Sequence, residues 1–94
     1  LLAHFRAVAD GCELTIVIYN VPGRTAVNLE AATCLELAAD PRFVAVKEAS
    51  GNLAQITTII RERPAHFSVL SGDDGITLAL MAHGADGVIS VVSN

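Results

Sequence analysis

The chain is short of positive charge. It has 94 residues, with six Lys and Arg against ten Asp and Glu, for a formal net charge of −4. A surface of that balance has no electrostatic pull on nucleic acid or anionic lipid, so neither is expected as a partner. No apolar run approaches the roughly 18–20 residues of a membrane span. The two cysteines, Cys12 and Cys34, show no CxxC spacing. There is no signal-peptide pattern either, so reduced thiols in a cytoplasmic protein are expected. GxGxxG, the P-loop and the GxSxG elbow are all missing, which removes the usual signatures of dinucleotide binding, phosphate binding and serine hydrolysis. His4, His66 and His83 share no spacing, and no His, Cys or third carboxylate stands beside Asp73 and Asp74 at ligand spacing, so no metal is expected. Low-complexity segments, linkers and internal sequence repeats are absent too.

Apolar residues are abundant. They make up 52% of the chain, and charged residues only 17%, which argues for a packed core and against disorder. Four β-branched runs stand out: Thr15 to Val21, Phe43 to Val46, Phe67 to Leu70 and Gly87 to Val92. They are continuous rather than alternating, as strands of parallel sheets are. Helical stripes lie between them. Leu1, Phe5 and Val8 form the first. Ala31, Cys34, Leu35 and Ala38 follow, with Asn28 as N-cap. Leu53, Ile56 and Ile60 are capped by Asn52 or Ser50 and stopped before Pro64. Ile76, Ala79, Leu80 and His83 make the last, with Asp73 or Asp74 as cap and Gly84 at C′. Leu78, Met81 and Ala82 make this last helix apolar nearly all round, which predicts two buried faces, one against the sheet and the other against a partner subunit or a missing segment.

The order α-βα-βα-βα-β predicts an α/β protein with parallel strands joined by crossover helices. A doubly wound sheet fits, and so does about half of a (β/α)8 barrel, which as a whole takes roughly 250 residues. The chain opens in helical periodicity without a cap and closes just after a strand-like run. Residues 1–94 are therefore expected to be a single segment of a longer protein.

Polar groups gather where the apolar runs end: Tyr19-Asn20-Val21-Pro22-Gly23-Arg24-Thr25, Lys47-Glu48-Ala49-Ser50-Gly51 and Ser71-Gly72-Asp73-Asp74-Gly75. Parallel βα architectures build active sites at those ends. Lys47 follows Phe43-Val44-Ala45-Val46 directly and is expected on the face of Phe43 and Ala45. A desolvated amine is driven toward its uncharged form and can then attack a ketone to form an imine; a lysine snorkelling from a strand end into water is the other reading. Tyr19 ends the neighbouring run and reads either as a proton relay or as an amphipathic aromatic at a wet rim. Arg24, past the Pro22-Gly23 turn, could grip a carboxylate in a bidentate fork or simply face solvent. Asp73 and Asp74 read as helix caps, and Gly72 as a site where a ligand approaches the backbone.

These motifs resemble the dihydrodipicolinate synthase family of lysine-dependent (class I) pyruvate aldolases. Tyr19 to Thr25 is similar to its YNVPxRT signature, Lys47 to Asn52 to its KEA[ST]GN segment, Ser71 to Asp74 to its SGDD turn, and Gly87 to Val91 to its GVISV strand. The resemblance spans the chain. It implies the second half of an aldolase-type (β/α)8 TIM barrel, from the helix before strand five through strand eight, with the first four strands and the C-terminal helices outside it. It implies condensation of pyruvate with aspartate semialdehyde to 4-hydroxy-tetrahydrodipicolinate, in diaminopimelate and lysine biosynthesis. Lys47 would form the Schiff base and Tyr19 would relay protons. Arg24, with Thr25, would bind the semialdehyde, and Gly72 and the backbone at Ile89 would line the pocket. No cofactor is implied, and a homotetramer built from dimers is. N-acetylneuraminate lyases and 2-keto-3-deoxy-sugar aldolases share the tyrosine and lysine but generally lack the Arg-Thr pair seen at Arg24 and Thr25. A non-catalytic half-barrel is a further alternative, and under the aldolase reading itself the 94-residue chain alone is expected to be inactive and either poorly soluble or associated. A phosphate-binding barrel is disfavoured because Ser90 to Asn94 offers no glycine to expose backbone N–H groups.

Overall fold

A computed structural model describes residues 1–94. The elements run α1 (Leu2–Asp10), β1 (Ile16–Asn20), α2 (Pro22–Thr25), α3 (Ala31–Ala38), β2 (Phe43–Glu48), α4 (Leu53–Glu62), β3 (Ser68–Ser71), a 3-10 turn (Asp74–Ile76), α5 (Thr77–Ala82) and β4 (Gly87–Val88). All three strand pairings are parallel, and the order in the sheet is β1-β2-β3-β4.

One face of this sheet is covered and the other is open. Ile18, Val46 and Val69 join Cys34, Leu37, Ile56, Ile59 and Leu80 in one buried cluster between strands and helices. On the opposite face Val17 and Tyr19 are 46% and 45% exposed. A doubly wound sheet has helices on both faces and a reversal of strand order. Sequential order with helices on one side is the wall of a (β/α)8 barrel.

The predicted elements all form, with shifted details. β2 runs on through Lys47 and Glu48, whose backbone groups continue the ladder to Tyr19 and Asn20. β4 covers only Gly87–Val88 of the expected run. Beyond it the Ile89 N–H still donates to the Ser71 carbonyl at 2.9 Å, while Val91 and Val92 stand in solvent. Asn28 does not cap α3; the N-cap is Glu30, without a side-chain bond, because the Asn28 amide is engaged with Asn20 and Gln55. Asn52 caps α4 by accepting from the Gln55 N–H, and Asp73 caps the 3-10 turn by accepting from the Gly75 N–H. In α1, Ala9 is buried and Val8 exposed, a one-residue rotation of the expected stripe.

One expectation is corrected. Phe43 does not share a face with Lys47. The register steps from Ile16 opposite Phe43 to Val17 opposite Ala45, which leaves Val44 as the extra residue of a bulge. The bulge breaks the alternation, and Phe43 enters the buried cluster with Val46. Within this chain α5 buries one of its two apolar faces: Leu80 is fully buried, whereas Leu78 is 85% exposed and Met81 44%, on the face expected to meet a partner subunit or a segment outside the chain.

Candidate active site

Tyr19 and Lys47 are direct cross-strand partners near the C-terminal ends of β1 and β2. Side chains directly opposite on neighbouring strands are close enough to touch. Here the Lys47 ammonium nitrogen lies 4.0 Å from the centroid of the Tyr19 ring, within cation–π range. Both side chains sit on the open face. Gly72, just past β3, completes the arrangement. A Cβ there would stand 2.9 Å from Lys47 Cγ, 3.0 Å from its Cε and 3.1 Å from Ala49 Cβ. The lysine stem therefore runs over the Gly72 backbone, and the absent side chain is what gives it that path.

Arg24 and Thr25 lie in α2, the single helical turn that the Pro22-Gly23 pair starts. Pro22 stands at its first position, where a missing N–H costs no hydrogen bond. The turn closes at Ala26 in the left-handed region (φ 60). Thr25 Oγ1 has one proton to donate, with the Val27 carbonyl at 3.0 Å and the Val21 carbonyl at 3.4 Å as its acceptors, and it accepts from the Val27 N–H, so this hydroxyl fastens the turn. The Arg24 side chain is exposed and takes part in no hydrogen bond or ion pair, while its backbone N–H donates to the Val21 carbonyl within the turn. The structure thus brings Lys47, Tyr19 and Gly72 together, and leaves the Arg24 guanidinium free at the next loop. Ile89 is tied through its N–H to the end of β3, and its side chain is 43% exposed.

Lys47 is not enclosed. The chain has one cavity, of about 450 Å³, lined by Leu1, Leu2, Ala3, Asn28, Glu30 and Thr33, and none of the expected site residues borders it. The expected desolvated pocket around the amine is therefore not formed by this chain, in which the face carrying Lys47 is open. No group of three or more His, Cys, Asp or Glu side chains converges at metal-ligating distance.

Two features near the site escaped the sequence reading. Asp74 Oδ2 accepts from the Val91 and Val92 N–H groups at 3.1 Å each, so the loop after β3 holds the segment after β4. Its carboxyl is kept below the usual carboxylate range by a hydrogen bond from Ser90, by the Val92 and Val91 N–H groups and, more weakly, by the positive charge of Lys47. The second feature lies behind the lysine. Glu48 is fully buried, and its carboxylate accepts from Asn20 Nδ2 (3.2 and 3.1 Å), the Ser50 N–H (2.9 Å) and Gln55 Nε2 (3.2 Å). Asn20 Oδ1 in turn accepts from the Leu29 N–H, and no buried side-chain polar atom lacks a partner. Cys34 lies in this region too; burial and then the Glu48 charge push its thiol up to about 12. It is a neutral core residue, not a nucleophile. The signal for Glu48 was present, since it follows Lys47 by one residue. Its depth depends on which face the helices cover.

A parallel βα wall that carries a lysine against a tyrosine at its C-terminal rim has the construction of a class I, lysine-dependent aldolase barrel. The comparisons narrow the class. The Dihydrodipicolinate synthetase family profile matches residues 1–94, and the chain belongs to that family. It is 55% identical over 94 residues to the 4-hydroxy-tetrahydrodipicolinate synthase of Listeria welshimeri, and 54% identical over 92 residues to that of Phocaeicola vulgatus. These matches cover 100% and 97% of this chain but 32% and 31% of the relatives, so the chain spans about a third of their length. Among solved structures it superposes with a TM-score of 0.94 on the dihydrodipicolinate synthase of Cyanidioschyzon merolae with lysine bound, at 48% identity, covering 98% of this chain and 32% of that one. The chloride-inhibited enzyme of Acinetobacter baumannii, complexed with pyruvate, matches at 40% identity and a TM-score of 0.91 over the same shares.

Proposed function

We propose that the protein to which this chain belongs is a 4-hydroxy-tetrahydrodipicolinate synthase, and that residues 1–94 form the second half of its barrel, from the helix before strand five through strand eight. The observation that carries the reading is the Lys47 nitrogen held 4.0 Å over the Tyr19 ring at the C-terminal ends of adjacent parallel strands. The relatives' names and the pyruvate complex of the A. baumannii enzyme support the substrate class.

In this reading the uncharged Lys47 amine adds to the keto carbon of pyruvate. A C–N bond forms, the keto oxygen leaves as water, and an iminium results. The iminium draws electrons from the adjacent methyl, which loses a proton to give an enamine. The enamine carbon then bonds to the aldehyde carbon of aspartate semialdehyde. Tyr19 passes protons to and from these centres through its hydroxyl. Arg24, which has no partner within the chain, holds the semialdehyde carboxylate, with Thr25 fastening the turn that presents it. Gly72 and the Ile89 backbone line the pocket, and no cofactor takes part. The remaining strands of the barrel supply the cover over the open face, which desolvates the amine. The exposed Leu78 and Met81 of α5 support assembly into a homotetramer, a dimer of dimers. The two free thiols fit a reducing, cytoplasmic setting.

The test is reductive trapping. The intact protein is treated with pyruvate and borohydride, digested and mapped by mass. A pyruvyl adduct on Lys47 is the expected result. A protein left unlabelled at Lys47, under conditions that label a control lysine aldolase, overturns the reading.

A further inference from the structure

Glu48 is the one carboxylate that the fold buries completely, and the chemistry above makes no use of it. Its place in the sheet is specific. Tyr19 pairs with Lys47, and the next pair along the same two strands is Asn20 with Glu48. Successive strand residues point to opposite faces. The reactive pair on the open face is therefore backed, one peptide further on, by a hydrogen-bonded pair on the helix-packed face. The Glu48 carboxylate gathers N–H groups from three elements: Asn20 at the end of β1, Ser50 in the loop that leaves β2, and Gln55 on α4. Asn28 bridges Asn20 and Gln55 from the segment before α3, closing a ring of side chains around the carboxylate.

We propose that Glu48 is a positioning residue for Lys47: its buried carboxylate clamps the ends of β1 and β2 together and thereby holds the lysine nitrogen against Tyr19. The inference rests on Lys47 as the imine-forming residue. Every partner of the carboxylate is a donor, so an acceptor-only group suits the position and an amide does not. Gln at 48 would turn an NH2 group toward donors, unless the facing donor is also exchanged. Gln55 is the partner to exchange, since it is half-buried on α4; its amide donates to Glu48 and also to Asn28 and the Leu29 carbonyl, and Asn20 remains as a donor to that carbonyl. Holding a nucleophile in attack geometry is worth a large rate factor, and displacement of about 1 Å can cost on the order of 100-fold.

The experiment follows imine formation in the intact protein by rapid-quench borohydride trapping across a range of pyruvate concentrations. It compares wild type, Glu48→Gln and the exchange Glu48→Gln/Gln55→Glu. For Glu48→Gln the rate constant at saturating pyruvate is expected to fall by about ten-fold or more. The half-saturating concentration changes little, and the final labelled fraction stays near that of wild type. The exchange variant recovers most of the rate. A residue that only supports folding lowers the fraction of molecules that react, not the rate constant of those that do. A wild-type rate constant with a reduced labelled fraction therefore overturns the proposal. If Glu48→Gln does not fold, Gln55→Ala removes one of the carboxylate's donors from a half-buried position, together with the bonds of Gln55 to Asn28 and to the Leu29 carbonyl. Loosening the ring around the carboxylate in this way is expected to slow the same step several-fold, and a wild-type rate constant in that variant overturns the proposal too. Absence of any adduct in wild type overturns the underlying aldolase reading, and this inference with it.

Discussion

At the scale of single residues, the site depends on very short distances around one flexible side chain. A methyl group at position 72 would fall 2.9 Å from Lys47 Cγ and 3.1 Å from Ala49 Cβ. Gly72→Ala is therefore expected to push the lysine stem away from the ring while leaving the strands in place. Borohydride trapping should slow by roughly ten-fold, and the circular dichroism spectrum should not change. Unchanged trapping would mean the stem has another path. Tyr19→Phe separates two roles of the tyrosine. The ring that lies under the ammonium is kept, and only the hydroxyl is lost. If the hydroxyl relays protons, turnover falls by on the order of 100-fold or more; turnover at the wild-type level would leave the ring with a packing role alone. Arg24 has no partner to lose, so Arg24→Ala should shift folding stability by no more than about 0.5 kcal/mol. It should raise the KM for aspartate semialdehyde and leave pyruvate trapping intact. Equal damage to both would remove Arg24 from the carboxylate-binding role.

At the scale of elements, the wall is held by helices that each give one face to the core. α5 shows the contrast within a few residues. Leu80→Ala, at a fully buried site, is expected to cost about 2–5 kcal/mol of unfolding free energy. Leu78→Asp, at an exposed site, should leave the subunit folded; if α5 is a subunit contact, it should shift the intact protein to smaller oligomers in sedimentation analysis. The rim opposite the site has its own fastening. Asp86, before β4, accepts from Arg63 and from the Val69 N–H, and so ties the end of α4 to the starts of β3 and β4. The Arg63 guanidinium foremost, and the Val69 N–H after it, hold the Asp86 carboxyl below the usual aspartate range. A carboxyl lowered on folding stabilises the protein above its unfolded value, near 3.9, and that contribution is lost as pH falls through the folded value. Asp86→Asn should therefore lower Tm at neutral pH, with the gap to wild type closing progressively below about pH 4. A gap that persists at low pH would point to packing instead of charge.

At the scale of the whole molecule, β1 and β4 are both sheet edges, and the face between them is bare. Val17, Tyr19 and Val88 stand exposed on or beside the strands, and Val91 and Val92 beyond them. Unpaired edges beside an apolar face invite pairing with other chains. The isolated 94-residue chain is expected to associate, visible as a large scattering mass, and to turn over neither substrate. A monodisperse monomer that condenses pyruvate with the semialdehyde would contradict both the open face and the need for a cover.

Local order was legible from residue types. Continuous β-branched runs, amphipathic stripes and the stop before Pro64 were enough for an alternating parallel α/β chain, because strand and helix periodicity are properties of neighbouring residues. The clustering of Lys47, Tyr19 and Gly72 at strand ends could be read for the same reason, and the motifs around them carried the family. What lay beyond local pattern was decided by packing. The Val44 bulge turned Phe43 to the face opposite Lys47, which strict alternation cannot foresee. Asn28 left its expected cap because Asn20 and Gln55, distant in sequence, offered better partners. Glu48 became the anchor behind the lysine only because helices cover that side of the sheet. Composition and order of side chains determine which elements form. Which face is dry, and which polar groups must therefore find one another there, is set by long-range contacts that exist only once the strands are side by side.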